Sequence, residues 1–146
     1  MSFEECVKFA NEVGTCFLAT AEGDQPRVRP LQLCFADNTG FYFQTEAVKS
    51  LAKQLKSNPK VELVFWQPQG GGGLGVHMRV SGEVRFVNDP SIRERIFKQR
   101  AELLKGVGIE SAEDPEMVVF QVFKGQAFFW TLENNTKESE IQRITF

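Results

Sequence analysis

The chain has 146 residues, of which 42% are hydrophobic and 25% are charged, and its formal net charge at pH 7 is −2. This composition is typical of a soluble globular protein and predicts one domain over residues 1–146 with a hydrophobic core. The small negative charge excludes a general electrostatic attraction to nucleic acid or to an anionic membrane. No run of 18 apolar residues occurs and the first residues lack a signal peptide's basic start, so we expect a cytoplasmic protein.

The first predicted element is a helix that begins after Ser2. Ser2 and Glu5 have the spacing of a capping box, in which each side chain accepts a hydrogen bond from the other residue's backbone. Apolar residues recur at helical spacing behind this box, and Gly14 is a favourable residue for the end of a helix. A strand over residues 15–21 and a turn over residues 22–24 are predicted to follow.

Two further strands, over residues 27–35 and 41–45, are predicted to pair as a hairpin. The stretch between them contains an Asn and a Gly, residue types that tight turns favour. Thr45 is then a candidate N-cap of a helix that Asn58-Pro59 ends. The apolar face of that helix comprises Val48, Leu51, Ala52 and Leu55. Another face carries Lys49, Lys53 and Lys56 at the same spacing.

The middle of the chain contains two more predicted strands, over residues 61–66 and 76–87. Both runs are rich in β-branched or aromatic residues, and Gly82 in the second run is consistent with a bulge. The connection between them has five glycines between Gly70 and Gly75. It lacks the Lys-Ser/Thr pair of a P-loop, so it predicts a flexible connection, or a lid over a site, and no nucleotide site.

The last third is predicted to contain a helix and three strands. Asp89 and Pro90 suit the start of a helix that runs to Leu104. Residues 117–123 and 126–132 form a predicted hairpin that turns near Lys124-Gly125, and residues 141–146 add a short strand. The total is six or seven mostly antiparallel strands with about three helices. This is a mainly β (α+β) chain, and a split β-barrel is the expected fold because closure removes exposed edges.

Cysteine and histidine usage argues against a metal site. The three cysteines form no CxxC pair, and His77 is the only histidine. A structural zinc site needs grouped ligands that this chain lacks, and every Ser-His-Asp arrangement would have to use His77. Cys6, Cys16 and Cys34 each lie in an apolar pattern, which predicts buried, reduced thiols.

The start of the lysine-bearing helix is a candidate anion site. Lys49 places a cation at the positive end of the helix dipole, which is unfavourable by about 0.3–1 kcal/mol unless an anion binds there. Free backbone N–H groups, a hydroxyl of Thr45 or Ser50 and nearby cations such as Lys53 together suit a phosphate. Arg27 and Arg29 lie two apart on a strand, share a face and could add a guanidinium fork. A solvated basic helix with Glu46 as an ion partner is the alternative interpretation.

The ordered stretches GDQPRVRP, FYFQT, KSLAKQLKSNPKVELVFW and MRVSGEVRFV resemble the pyridoxamine 5′-phosphate oxidase-like family of FMN-binding split barrels, and its short members most of all. The resemblance implies FMN bound in a cleft between the two subunits of a homodimer. It also implies that Arg29, Thr45, Lys49, Ser50 and Lys53 hold the flavin phosphate.

The resemblance further implies contacts to the flavin ring. The backbone of the segment Arg29-Pro30-Leu31-Gln32 could donate hydrogen bonds to its pyrimidine edge. Candidate contacts from the partner subunit are His77 or Arg79, together with Trp130. Ordinary strand or core packing is the alternative for His77 and Trp130.

The end of the chain differs from that of true pyridoxamine phosphate oxidases, which end in a segment of the Trp-Arg-Ile-Glu-Arg-Leu type. Here only Arg143 matches that segment, so vitamin B6 phosphate is not the expected substrate. The predicted function is an FMN-dependent oxidoreductase that acts on an unidentified small molecule, which would be its substrate or its reductant. The alternatives are a non-catalytic flavin-binding storage or sensor protein, or a deazaflavin- or haem-binding relative. The lone His77 leaves little choice of haem ligand.

Overall fold

The structure, a computed structural model, describes residues 1–69 and 74–146. Most of the predicted glycine-rich connection between Gly70 and Gly75 therefore lies outside the described residues. The elements in chain order are α1 (Phe3–Val13), β1 (Thr15–Glu22), β2 (Gln25–Gln32), β3 (Phe35–Asp37), β4 (Gly40–Glu46), α2 (Ser50–Ser57), β5 (Lys60–Gln67), β6 (Val76–Phe86), α3 (Pro90–Gln99), α4 (Ala101–Gly106), β7 (Met117–Trp130) and β8 (Ile144–Thr145). Two short 3-10 helices, Leu132–Asn134 and Glu138–Glu140, lie between β7 and β8.

The strands form one antiparallel sheet in the order β2-β1-β5-β6-β7-β4-β3, and β8 pairs with β7. Side chains from strands that are far apart in this order meet in one buried cluster, which includes Leu18 of β1, Phe41 of β4 and Phe65 of β5. The sheet therefore curls around a common core, and α1 adds Cys6 to it. The predicted mainly β fold, an antiparallel split barrel with a few helices, is confirmed.

The prediction for α1 is confirmed in detail. The Ser2 hydroxyl accepts a hydrogen bond from the Glu5 N–H, and the Glu5 carboxylate accepts one from the Ser2 N–H. Gly14 ends the helix with φ of 80°, a backbone conformation that glycine adopts without steric cost.

The predicted hairpin of residues 27–35 and 41–45 is wrong. β2 pairs along its whole length with β1, around the turn at Gly23 and Asp24, and only β3 pairs with β4. The run breaks between these strands, where the Leu33 N–H donates to the Gly14 carbonyl and the Cys34 N–H donates to the Tyr42 carbonyl. Alternation along the run did not reveal this change of partner, because both pieces have the same side-chain period.

The predicted hairpin that turns at Lys124-Gly125 is also wrong, because β7 is continuous over 14 residues. Gly125 lies directly opposite Gly82 of β6, and a Cβ on Gly125 would overlap the Ser81 carbonyl oxygen. The glycine therefore permits a close approach of two strands and does not make a turn. The bulge expected near Gly82 is found one residue later, between Glu83 and Val84.

The predicted start of α2 is wrong as well. The helix has Lys49 as its N-cap, whereas Thr45 lies within β4 and pairs with Val118. The chain makes an extra turn first, in which the Lys49 N–H donates to the Glu46 carbonyl. As a result, Val48 is not part of the apolar face and is 72% exposed.

The predicted helix from Pro90 to Leu104 is two helices, with a break at Arg100. The Asp89 carboxylate caps α3 by accepting hydrogen bonds from the N–H groups of Ser91 and Ile92, as the prediction required. All three cysteines are buried and free, which confirms the prediction of reduced thiols. None of the helices in the described ranges is both long enough and apolar enough to cross a membrane.

Candidate functional site

Arg29 is the centre of a polar cluster between the edge strand β2 and helix α2. It lies opposite Leu18, so its side chain points to the core side of the sheet. Its Nη1 donates to the Leu18 carbonyl at 3.2 Å and to the Thr20 hydroxyl at 2.9 Å, and its Nη2 donates to the Gln54 side-chain oxygen. Thr20 and Gln54 are both buried, so the guanidinium is held by rigid neighbours.

Among the residues that the structure describes, no carboxylate pairs with the positive charge of Arg29. Its three acceptors are neutral, and burial lowers the pKa of the guanidinium. The nearest acid in the network, Glu22, instead binds Arg27 at 3.0 Å and accepts from the Gln54 amide at 3.1 Å. These hydrogen bonds, from Gln54 first and then from Arg27, lower the pKa of the Glu22 carboxyl. Arg27 and Arg29 do share a face, but Arg27 is paired with an acid and they form no common fork.

The N-terminus of α2 has no side-chain cap. Lys49, the N-cap residue, makes no capping hydrogen bond, and the first turn contains no acidic residue. The first-turn N–H groups of a helix have no partner within the helix, and they carry the positive end of its dipole. Ser50 and Lys53 are exposed at this end. The arrangement leaves backbone donors, a hydroxyl and cations at one helix terminus.

Two carboxylates lie near the same terminus. The Glu46 carboxylate is 3.5 Å from the Lys49 ammonium, as the alternative interpretation of the sequence expected. The Glu116 carboxylate accepts a hydrogen bond from the Val48 N–H at 2.8 Å. Both acids are bound to groups that precede the helix, so neither caps its first turn.

Thr45 is almost fully buried in β4, at 1% exposure. Its hydroxyl has no hydrogen-bond partner among the described residues. A buried hydroxyl without a partner costs about 1–3 kcal/mol relative to one that is bonded. Thr45 therefore does not cap α2, but its unpaired hydroxyl lies in the strand that leads directly to that helix.

Most of the remaining predicted residues lie on the outer face of the sheet. Pro30 pairs with Phe17 on this face, and a row of aromatic side chains continues across β5, β6 and β7. A cavity of about 280 Å³ there is lined by Phe17, Val64, Trp66, Leu74, His77 and Trp130. Gln32 lies on the same outer face of β2 and is exposed, whereas Leu31 points inward and packs against the core.

His77 stacks on Trp130 with 4.7 Å between ring centroids and an angle of 2° between the planes. Burial, and then the nearby Arg79, lower the pKa of the His77 imidazole, which favours the neutral ring. Arg79 itself forms ion pairs with Glu62 at 3.6 Å and with Glu138 at 3.2 Å.

The predicted site residues thus form two clusters in one chain. One contains Arg29 and the start of α2, and the other contains His77, Arg79 and Trp130 on the outer face. Within one chain, the two clusters lie on opposite faces of the same sheet. Within the described ranges, no three His, Cys, Asp or Glu side chains are grouped as a metal site would require.

Sequence reasoning missed Gln54, Thr20 and Glu116. The signal for Gln54 was present, because its spacing from Leu51 and Leu55 places an amide in the apolar face of α2. A polar residue in such a face must find a buried partner. Its partners are far away in sequence, so the pattern could indicate that a partner exists but could not identify it.

Comparisons with known proteins agree with this fold. The model of the family described as pyridoxamine 5′-phosphate oxidase matches residues 2–130. Among solved structures, a NimC/NimA family protein from Clostridium acetobutylicum is 26% identical, with a TM-score of 0.76 over 98% of this chain and 92% of that chain.

Two other solved structures share the fold at lower identity. A FAD-binding protein from Mesorhizobium loti is 18% identical, with a TM-score of 0.69 over 88% of this chain and 94% of that chain. The haem storage protein HutZ from Vibrio cholerae is 16% identical, with a TM-score of 0.66 over 90% of this chain and 95% of that chain. No curated protein matches the chain. Since the family model covers most of the sequence, the chain belongs to the pyridoxamine 5′-phosphate oxidase family, whose members typically bind flavin.

Proposed function

We propose that residues 1–146 form one FMN-binding domain and that the protein is an FMN-dependent oxidoreductase acting on a small molecule. The observation that carries the proposal is the half-buried Arg29, whose hydrogen-bond acceptors are all neutral, next to the uncapped start of α2. A cation held by neutral acceptors keeps its charge available for an anion. A helix terminus with free N–H groups adds donors that suit a phosphate.

The residues present fit the phosphate of FMN. Arg29 would supply a charge-assisted hydrogen bond, Lys49 and Lys53 would add charge, and Ser50 would add a hydroxyl. The buried hydroxyl of Thr45 has no hydrogen-bond partner within residues 1–69 and 74–146, and a bound group could supply one with a modest shift of the chain. Once bound, FMN supplies the hydride chemistry, and the protein supplies position and electrostatics.

We propose that the flavin ring lies along β2. This strand is at the end of the sheet, and no described strand pairs with its outer edge. Alternate N–H groups of an edge strand point away from its neighbour and are free to donate. The segment Arg29-Pro30-Leu31-Gln32 could therefore bind the pyrimidine edge of the ring, except at Pro30, which has no N–H.

We further propose a homodimer in which the outer face of one subunit covers the flavin of the other. That face exposes Phe17 and Trp66 at 43% each and Val28 at 69%. A contiguous apolar face of this kind marks an interaction surface. It would place the partner's His77, Arg79 and Trp130 near the ring, which explains how one site could use two clusters that are separate in one chain.

Flavin titration tests the phosphate site. FMN should bind at least about tenfold more tightly than riboflavin, because a single charge-assisted contact contributes more than about 1.4 kcal/mol. FAD should bind more weakly than FMN, because adenylation alters the terminal phosphate. Equal affinities for FMN and riboflavin would remove the argument for this site, and the absorption spectrum distinguishes FMN from haem or deazaflavin.

Two further measurements test the remaining parts of the proposal. Sedimentation should give a dimer of the 16.5 kDa chain, and a flavin-bound monomer would contradict the shared site. Anaerobic mixing with NADH or NADPH should bleach the flavin of an oxidoreductase. Bound FMN that neither nicotinamide reduces would favour the storage or sensor alternative.

A further inference from the structure

Gln54 is the most unusual residue of α2. It is 5% exposed in a helix whose other buried residues are Leu51, Ala52 and Leu55. A buried primary amide is unfavourable unless its oxygen and nitrogen are both bonded. Here all of its partners are side chains outside the helix.

The amide of Gln54 joins two groups of opposite charge without letting them meet. Its oxygen accepts from Arg29 and, at 2.6 Å, from the Thr20 hydroxyl, while its nitrogen donates to the Glu22 carboxylate at 3.1 Å. A guanidinium can only donate and a carboxylate can only accept, so these two neighbours determine which way the amide faces. Glu22 is in turn held by Arg27.

We infer that Gln54 is a positioning residue for anion binding: its neutral amide anchors Arg29 while separating that guanidinium from Glu22. The inference rests on the proposed function, since the anion is the FMN phosphate. With a carboxylate at position 54, Arg29 would be neutralised. With an apolar side chain there, Arg29 would lose its anchor on α2 and could turn towards Glu22.

The experiment compares FMN and riboflavin, which differ only in the phosphate. Gln54→Met and Gln54→Glu should weaken FMN binding at least about tenfold and change riboflavin binding by no more than about twofold. If the role of Gln54 were merely structural, its substitution would weaken the binding of both flavins alike. The ratio of the two dissociation constants is therefore the decisive readout.

Gln121→Met is the matched control, because Gln121 is also a buried glutamine, at 1% exposure, but it bonds to Tyr42 and Arg85. This substitution should lower the melting temperature and leave the ratio of the FMN and riboflavin dissociation constants unchanged. Glu22→Ala changes an exposed side chain and removes the acceptor that orients the amide. It should also weaken FMN binding more than riboflavin binding, and it keeps the test available where both Gln54 variants fold poorly.

The outcomes separate the two proposals. If the parent prefers FMN and the Gln54 or Glu22 variants keep the same ratio of FMN to riboflavin dissociation constants, the role of Gln54 is overturned. The proposed flavin site is then unaffected. A folded parent that binds FMN no better than riboflavin overturns both. If the Gln54 and Glu22 variants lose the preference for FMN over riboflavin and Gln121→Met keeps it, both the flavin site and the role of Gln54 are supported.

Discussion

Replacing Lys49 and Lys53 by alanine distinguishes a phosphate site from a solvated basic helix. In the flavin-free protein, Lys49→Ala removes the ion pair between Lys49 and Glu46, whose charged atoms are 3.5 Å apart. The Lys49 side chain is 59% exposed. Such a pair contributes about 0.2–0.5 kcal/mol, while removal of a cation from the positive helix end recovers about 0.3–1 kcal/mol. These effects oppose one another, so the free energy of unfolding should change by no more than about 0.5 kcal/mol.

Flavin binding should respond far more strongly than stability. Each charge-assisted contact to a dianionic phosphate contributes about 1.5–3 kcal/mol, so loss of one lysine should weaken FMN binding roughly ten- to hundredfold. The double variant should fold but lose most of its FMN, and with it the increase in melting temperature that FMN causes. Arg29→Ala should have the same effect.

Quenching of flavin fluorescence gives the dissociation constants, and thermal melts with and without FMN give the linked stabilisation. Lys56→Ala is the matched control, because Lys56 is an exposed lysine in the last turn of the same helix. It should leave FMN binding unchanged. A Lys49/Lys53 double variant that binds FMN as well as the parent would show that the phosphate lies elsewhere.

Two further predictions concern the fold. Gly125→Ala should destabilise the protein by about 3 kcal/mol in urea denaturation, because the new Cβ would overlap the Ser81 carbonyl oxygen. Gly106→Ala is the control, because no atom lies near its Cβ, and it should match or exceed the parent's stability. Equal effects of the two substitutions would refute the close strand approach. Burial raises the pKa of the Cys16 thiol to about 12 from 9.0, so the folded state binds more protons than the unfolded state above pH 9. The free energy of unfolding should therefore fall between about pH 9 and 12, and that of the Cys16→Ala variant should fall less steeply over the same range.

Local patterns predicted the elements of this fold well, and tertiary pairing poorly. The capping box at Ser2 and the Asp89 cap are complete within four residues, so the sequence could reveal them. The partners of β2 and β3 depend on where the chain changes direction at Leu33, which no residue type marks. The sequence predicts a turn at Gly125 because a glycine required by a close strand approach looks the same in sequence as one required by positive φ.

The candidate site divides in the same way. The cations of α2 and the strand face of Arg29 followed from spacing alone. The sequence predicts Thr45 as the N-cap of α2, because nothing in it indicates the extra turn between Glu46 and Lys49. The network through Gln54 depends on contacts with residues 25 to 34 positions away along the chain, which a helical pattern does not contain.

Several departures from local rules lie on or next to α2. Helices α1 and α3 have side-chain caps, whereas α2 begins with an uncapped lysine and the short helix α4 with an uncapped arginine. The buried hydroxyl of Thr45, in the strand before α2, has no partner in the described part of the chain. The amide of Gln54, within α2, lies between the Arg29 guanidinium and the Glu22 carboxylate. A missing cap and a buried hydroxyl without a partner each cost stability, and the phosphate proposed at the start of α2 would satisfy the free N–H groups there. Proteins break such rules mainly where function requires it, which is why this terminus is the part of the molecule to test first.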